Sequence, residues 1–152
     1  MTHPLILIVE DSRASADELR TRIAERLGLS VITAGTCAEA VRIMDEQGPN
    51  RFLAILDLIL PDAPDGEVVD QARARKEPSL VFTSRLDDTT RRYILSKDVI
   101  DYIIKDEHAV DNVARAVARL HRNRSAKILV VDDSPSMRTF MKEELRRYMF
   151  QV

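Results

Sequence analysis

The sequence predicts an open α/β fold, with a parallel sheet at its centre and helices on both faces. Three observations carry that expectation. Five short runs are mostly apolar, as strands buried on both faces are. Helical patterns lie between them, so strand and helix alternate five times. Polar residues stand at or just past the ends of four runs: Glu10 and Asp11, Asp57, Thr83, and Lys105.

The elements follow in order. Leu5-Ile6-Leu7-Ile8-Val9 contains no polar residue and reads as a central strand. Leu19, Ile23 and Leu27 recur every four residues and mark a first helix, with Ser12 placed to cap it. Residues 30–34 form a weaker strand, and a second helix covers Ala38 to Glu46. Phe52-Leu53-Ala54-Ile55-Leu56 is the third strand, closed by Asp57. A third helix spans Glu67 to Lys76, a fourth strand 79–82, and a fourth helix Asp88 to Lys97. The fifth strand covers 100–104. The fifth helix has the clearest pattern: Val110, Val113, Ala114, Val117 and Leu120 share one face, and Asp106 is placed to cap it.

With 152 residues, 45% of them apolar and 32% charged, the chain can build one core of ordinary size with a solvated surface. A net charge of −2 gives no footprint for direct nucleic-acid binding. No apolar stretch approaches the roughly 18 residues of a membrane span. Met1-Thr2-His3-Pro4 lacks the basic and apolar regions of a leader, so the expectation is a cytoplasmic protein. Cys37 stands alone, which excludes an intrachain disulfide. With no evident base to activate it, it reads as a small core residue.

After the polar stretch His121 to Ala126 the chain repeats itself. Leu5-Ile6-Leu7-Ile8-Val9-Glu10-Asp11-Ser12 matches Lys127-Ile128-Leu129-Val130-Val131-Asp132-Asp133-Ser134. Leu19 then pairs with Met141 and Ile23 with Leu145. Ser134 is placed as a helix cap with Pro135 as the first helical residue. The expected organisation is a full domain over 1–122, a linker over 123–126, and one strand and one helix of a second domain over 127–152. That second piece cannot build a core alone, so the sequence reads as part of a longer polypeptide.

In an open α/β sheet, ligands bind beyond the carboxyl ends of the strands, where the strand order reverses. For the order 2-1-3-4-5 that point lies between the first and third strands, which end in Glu10-Asp11 and Asp57. Carboxylates gathered there repel one another unless a cation joins them, and Mg2+ suits a set of carboxylates, waters and phosphate oxygens. Asp11 and Asp57 are the expected direct ligands. Glu10 acts through water, and the main-chain carbonyl of Ile59 completes the protein share. A carboxylate beside Mg2+ can attack phosphorus. Asp57 is the expected nucleophile, with Lys105 balancing charge on the transferred oxygens and the Thr83 hydroxyl donating to one of them.

The motifs LILIVEDS, ILDLILPD, VFTS and DYIIKD resemble the receiver domain of bacterial two-component response regulators, over residues 5 to about 120. The resemblance implies a flavodoxin-like (βα)5 fold. It also implies an acidic pair at Glu10 and Asp11, a phosphorylation site at Asp57, and a switch hydroxyl and lysine at Thr83 and Lys105. Tyr102 falls at the family's switch aromatic. The implied partner is a histidine kinase or phosphotransfer protein, with homodimerisation possible through the fourth helix, fifth strand and fifth helix. The implied role is a phosphoacceptor switch, not an enzyme. Two residues depart from the family pattern: Glu10 replaces the commoner Asp, and Asp106 stands after Lys105 where Pro is usual. The Lys–Pro bond of the family is typically cis, and a non-prolyl cis bond costs about 2.5–4 kcal/mol, so a trans bond is expected here. The tandem arrangement also resembles the front half of regulators that end in a diguanylate cyclase. Two other readings compete. One is a degenerate receiver serving as a spacer or dimerisation module. The other is an aspartate-nucleophile phosphatase, which needs a second acid where this chain has Ile59.

Overall fold

The computed structural model describes residues 5–47, 51–85 and 87–152. Met1 to Pro4, read above as no leader, lie outside them. The chain divides into two compact units, 1–114 and 115–152.

In the first unit five parallel strands, β1 (Leu5–Val9), β2 (Ser30–Ala34), β3 (Arg51–Leu56), β4 (Ser79–Thr83) and β5 (Asp101–Ile104), form one sheet in the order β2-β1-β3-β4-β5. The order is the expected one. The helices are α1 (Arg13–Leu27), α2 (Cys37–Gln47), α3 (Glu67–Ala74), α4 (Asp88–Leu95) and α5 (Ala109–Asn123), the last running on into the second unit. Strand residues alternate between faces. Leu7, Val9, Ala54, Leu56 and Val81 share one core with Ala40, Ile43 and Met44 of α2 and Val68, Val69 and Ala72 of α3. Ile6, Ile8, Leu53, Ile55 and Leu80, of opposite parity, are also fully or almost fully buried. Each side chain of this size contributes about 1.5–3 kcal/mol relative to an exposed position.

Helix starts follow local chemistry. Ser12 Oγ accepts from Ser15 N, and Asp87 caps α4 through Thr90 N at 2.8 Å. Asp106 accepts from His108 N just before α5. The start of α2 has a longer-range partner. Asp62, in the loop after β3, accepts from Cys37 N and Ala38 N, both at 2.9 Å. These two N–H groups hold the Asp62 carboxyl below its ordinary value of 3.8. A lowered acid stabilises the fold above the unfolded value, and that contribution disappears as pH falls through the folded value. Amide protection at Cys37 and Ala38 is therefore expected to hold at pH 5 and above and to fade below about pH 4. Hydrogen exchange read against pH checks this, with Asp62→Asn removing the pH dependence.

At the other end of the sheet, Arg51 and Glu77 form a buried bidentate pair at 2.9 and 2.7 Å, with side chains 4% and 6% exposed. Gly66, which opens α3, has φ +80, and an added Cβ would lie 3.1 Å from Tyr93 Cε1 and 3.3 Å from Leu58 Cδ2. Gly66→Ala is expected to destabilise the domain by about 1–2 kcal/mol through the left-handed backbone alone, read as a lower melting temperature.

In the second unit, α6 (Pro135–Arg147) follows an extended stretch. Its details reproduce those of the first copy. Ser12 N donates to Glu10 Oε1 at 3.0 Å, and Ser134 N to Asp132 Oδ1 at 2.8 Å. Ser134 Oγ accepts from Met137 N, as Ser12 Oγ does from Ser15 N. The strand expected at the start of this copy is reduced to one parallel bridge between Lys127 and Gln151. A strand needs a neighbour's backbone, and in the first copy Leu7 to Val9 pair with Ile32 to Ala34. Among the described residues, Leu129 to Val131 pair with no strand. Leu129 and Val131, whose counterparts Leu7 and Val9 are core residues, are accordingly 86% and 84% exposed.

Candidate phosphoacceptor site

The ladder hydrogen bonds continue one residue past the strands and so fix the site. Glu10 N donates to Ala34 O, Asp57 N to Val9 O, and Lys105 N to Thr83 O, at 2.8–2.9 Å. The register places Val9 beside Leu56, which brings Glu10 and Asp57 together at the next position. Thr83 and Ile104 are paired partners at the ends of β4 and β5.

The structure brings most of the expected residues to one place. Among the described residues, Glu10, Asp11 and Asp57 offer carboxylate oxygens all within 4.8 Å of one another. Glu10 and Asp57 are buried and Asp11 is exposed. Lys105 Nζ donates to Asp57 Oδ2 at 2.8 Å and lies 2.6 Å from Glu10 Oε2. Ile59 N donates to Asp57 Oδ1 at 3.1 Å. Thr83 is fully buried, and its hydroxyl oxygen accepts from Arg85 N at 3.2 Å. Tyr102 is half-buried, packed against the α2–α3 side of the core.

Burial pushes the Glu10 carboxyl above its ordinary value. The nearby Lys105 ammonium and the Ser12 N–H oppose the rise, and the Asp57 charge adds to it. Burial alone would lower the Lys105 ammonium, but the hydrogen bond to Asp57 and the close Glu10 carboxylate outweigh it and the net shift is upward. The lysine is thus held charged between two acids.

The donor set fits Mg2+, a hard cation that takes oxygen ligands. Glu10 Oε2 adds a specific sign. It is buried and, among the described residues, has no partner in hydrogen-bond geometry. The close Lys105 ammonium faces it as an ion pair, off the angle of a hydrogen bond.

The Lys105–Asp106 bond is trans, since no cis bond occurs among the described residues. Lys105 reaches Asp57 all the same. Two features escaped the sequence reading. One is the approach of Lys105 to Glu10, for which the extra methylene of Glu10 was the available signal. The other is the role of Asp62, which lies within the same motif as Asp57 but serves α2.

No protein-family profile matches the chain. The virulence transcriptional regulatory protein PhoP of Salmonella typhi is 29% identical over 142 residues, covering 92% of this chain and 62% of PhoP. A solved structure described as a two-component system response regulator/GGDEF domain protein is 35% identical with a TM-score of 0.85, covering 98% of this chain and 60% of that one. Its relatives and structural neighbours include response regulator receivers. Response regulator TrrA from Thermotoga maritima, solved in complex with Mg2+ and BeF, resembles this chain at 25% identity and a TM-score of 0.64, covering 76% of this chain and 96% of that one. The chain spans about three fifths of the length of PhoP and of the GGDEF protein. No helix among its described residues is long and apolar enough to cross a membrane.

Proposed function

We propose that this chain works in the cytoplasm, where Asp57 accepts a phosphoryl group from a histidine kinase or phosphotransfer protein and relays it as a conformational switch. The observation that carries this reading is Lys105 Nζ, 2.8 Å from Asp57 Oδ2 beside a cluster of three carboxylates. An Asp57 oxygen bonds to phosphorus and the P–N bond of the donor phosphohistidine breaks. The imidazole leaves with the electron pair and takes a proton from solvent. Mg2+, when bound, neutralises charge on the transferred oxygens. Asp11, Asp57, Glu10 through water and the Ile59 carbonyl are the groups that would hold it. Lys105 supplies a second positive charge. The Thr83 hydroxyl, now engaged by Arg85 N, donates to a phosphoryl oxygen, and Tyr102 turns inward. The added charge biases a surface with two arrangements, and homodimerisation through α4, β5 and α5 is the readout we assign to it.

Residues 127–152 open a second receiver after a linker at 123–126, the first receiver being 1–122. The reproduced serine–acid bonds support this division. In the longer protein, a GGDEF-type enzyme is the output we place downstream, by likeness to the solved relative.

Acetyl phosphate with Mg2+ tests the acceptor. The wild type is expected to gain one phosphoryl group by intact mass, and Asp57→Asn none. An unmodified wild type, or an undiminished increment on Asp57→Asn, overturns the assignment.

A further inference from the structure

Glu10 is one methylene longer than its counterpart in the second copy, Asp132. The two residues share one bond. In each copy one carboxylate oxygen accepts from the N–H of the serine two positions on. That bond decides which oxygen is left. For Glu10 it is Oε2, on a side chain only 1% exposed, and Lys105 Nζ lies 2.6 Å away. The same ammonium is bonded to Asp57 Oδ2 at 2.8 Å. One cationic group therefore spans two buried acids that sit side by side.

We propose that Glu10 is a positioning residue that latches Lys105 into the acidic pocket and thereby sets the affinity of the site for Mg2+. The inference rests on the receiver reading given above. A water carried by Mg2+ and the Lys105 ammonium compete for Oε2, the one Glu10 oxygen not committed to Ser12. Repulsion between the two cations, in surroundings poorer in water than bulk, adds to the competition. An aspartate at this position keeps the serine bond, as Asp132 does. Its other oxygen is drawn back by one C–C bond, about 1.5 Å, which takes it beyond hydrogen-bonding reach of Lys105. Lys105 then pairs with Asp57 alone, and the pocket opens to the metal.

The test is Mg2+ binding by calorimetry, with no phosphodonor, on the 152-residue chain. Glu10→Asp is expected to bind Mg2+ roughly fivefold more tightly, at the lower end of coupling between touching residues. Lys105→Met is expected to tighten binding too, and adding Glu10→Asp to it gives no further gain. Equal or weaker binding by Glu10→Asp overturns the latch, and so does the same gain with Lys105 absent. Should Lys105→Met fail to fold, the Lys105 15Nζ resonance serves instead. It is expected to move on Mg2+ addition in the wild type, and an unmoved signal overturns the latch. If wild type and variants all bind no Mg2+, the receiver reading falls as well. If the wild type binds and Glu10→Asp shows no gain, only the latch falls.

Discussion

Lys105→Ala is expected to slow phosphoryl uptake at Asp57 by about 10²–10³-fold at saturating Mg2+, the usual loss when one preorganised charge-stabilising donor is removed. The ammonium lies on the acceptor carboxylate itself, 2.8 Å from Oδ2, and its side chain is only 22% exposed. Solvent is therefore a poor substitute for it. Lys105→Arg is not expected to rescue the rate. A planar guanidinium cannot take the place of a compact point charge between two acids 2.6 and 2.8 Å from it. The alanine variant also leaves Glu10 and Asp57 buried, adjacent and without their cation. Its metal-free form should melt below the wild type, and Mg2+ should recover much of the difference. A mass-spectrometric time course with acetyl phosphate reads the first effect, and melting curves with and without Mg2+ read the second. A rate within a few fold of wild type would remove Lys105 from the chemistry.

Glu77→Ala is expected to destabilise the first unit by about 3–5 kcal/mol without touching the acceptor site. Removing one member of a buried pair strands the other as an uncompensated charge, and losses of that size are typical. Arg51 has little alternative. Its Nε and Nη2 are committed to Glu77, and its Nη1 donates to Ile43 O at 3.0 Å. Against a typical domain stability of about 5–15 kcal/mol, the loss is a large fraction. Replacing both partners, Arg51→Met with Glu77→Leu, should cost far less, because no charge is left in the core. Urea unfolding of the two variants separates these outcomes. Similar losses in both would mean that packing, and not charge, carries the effect.

The contrast between these two places explains what could be read in advance. Asp57 and Lys105 are 48 positions apart, yet both follow apolar runs, and parallel strands bring such ends to one edge. That part was legible from hydrophobic pattern alone. The extent of the strands was nearly so, although Thr83 lies inside β4, at its last position. Arg51 and Glu77 gave no such signal. Each looks like an ordinary surface charge, and only the packed sheet brings the two together. Asp62 was hidden for a similar reason: a cap is normally sought beside its helix, and this one comes from a loop 25 positions away. The chain from 127 onward shows the limit of local pattern. Its strand-like run has the right side chains, but a strand exists only where another backbone answers it.

Asp62 sits five positions beyond Asp57, on the loop that leaves the acceptor strand, and clasps the first two amides of α2. A shift of this loop on phosphorylation is expected to lengthen those two bonds. The amide signals of Cys37 and Ala38 are then expected to move when Asp57 is phosphorylated, readable by NMR without attaching a probe.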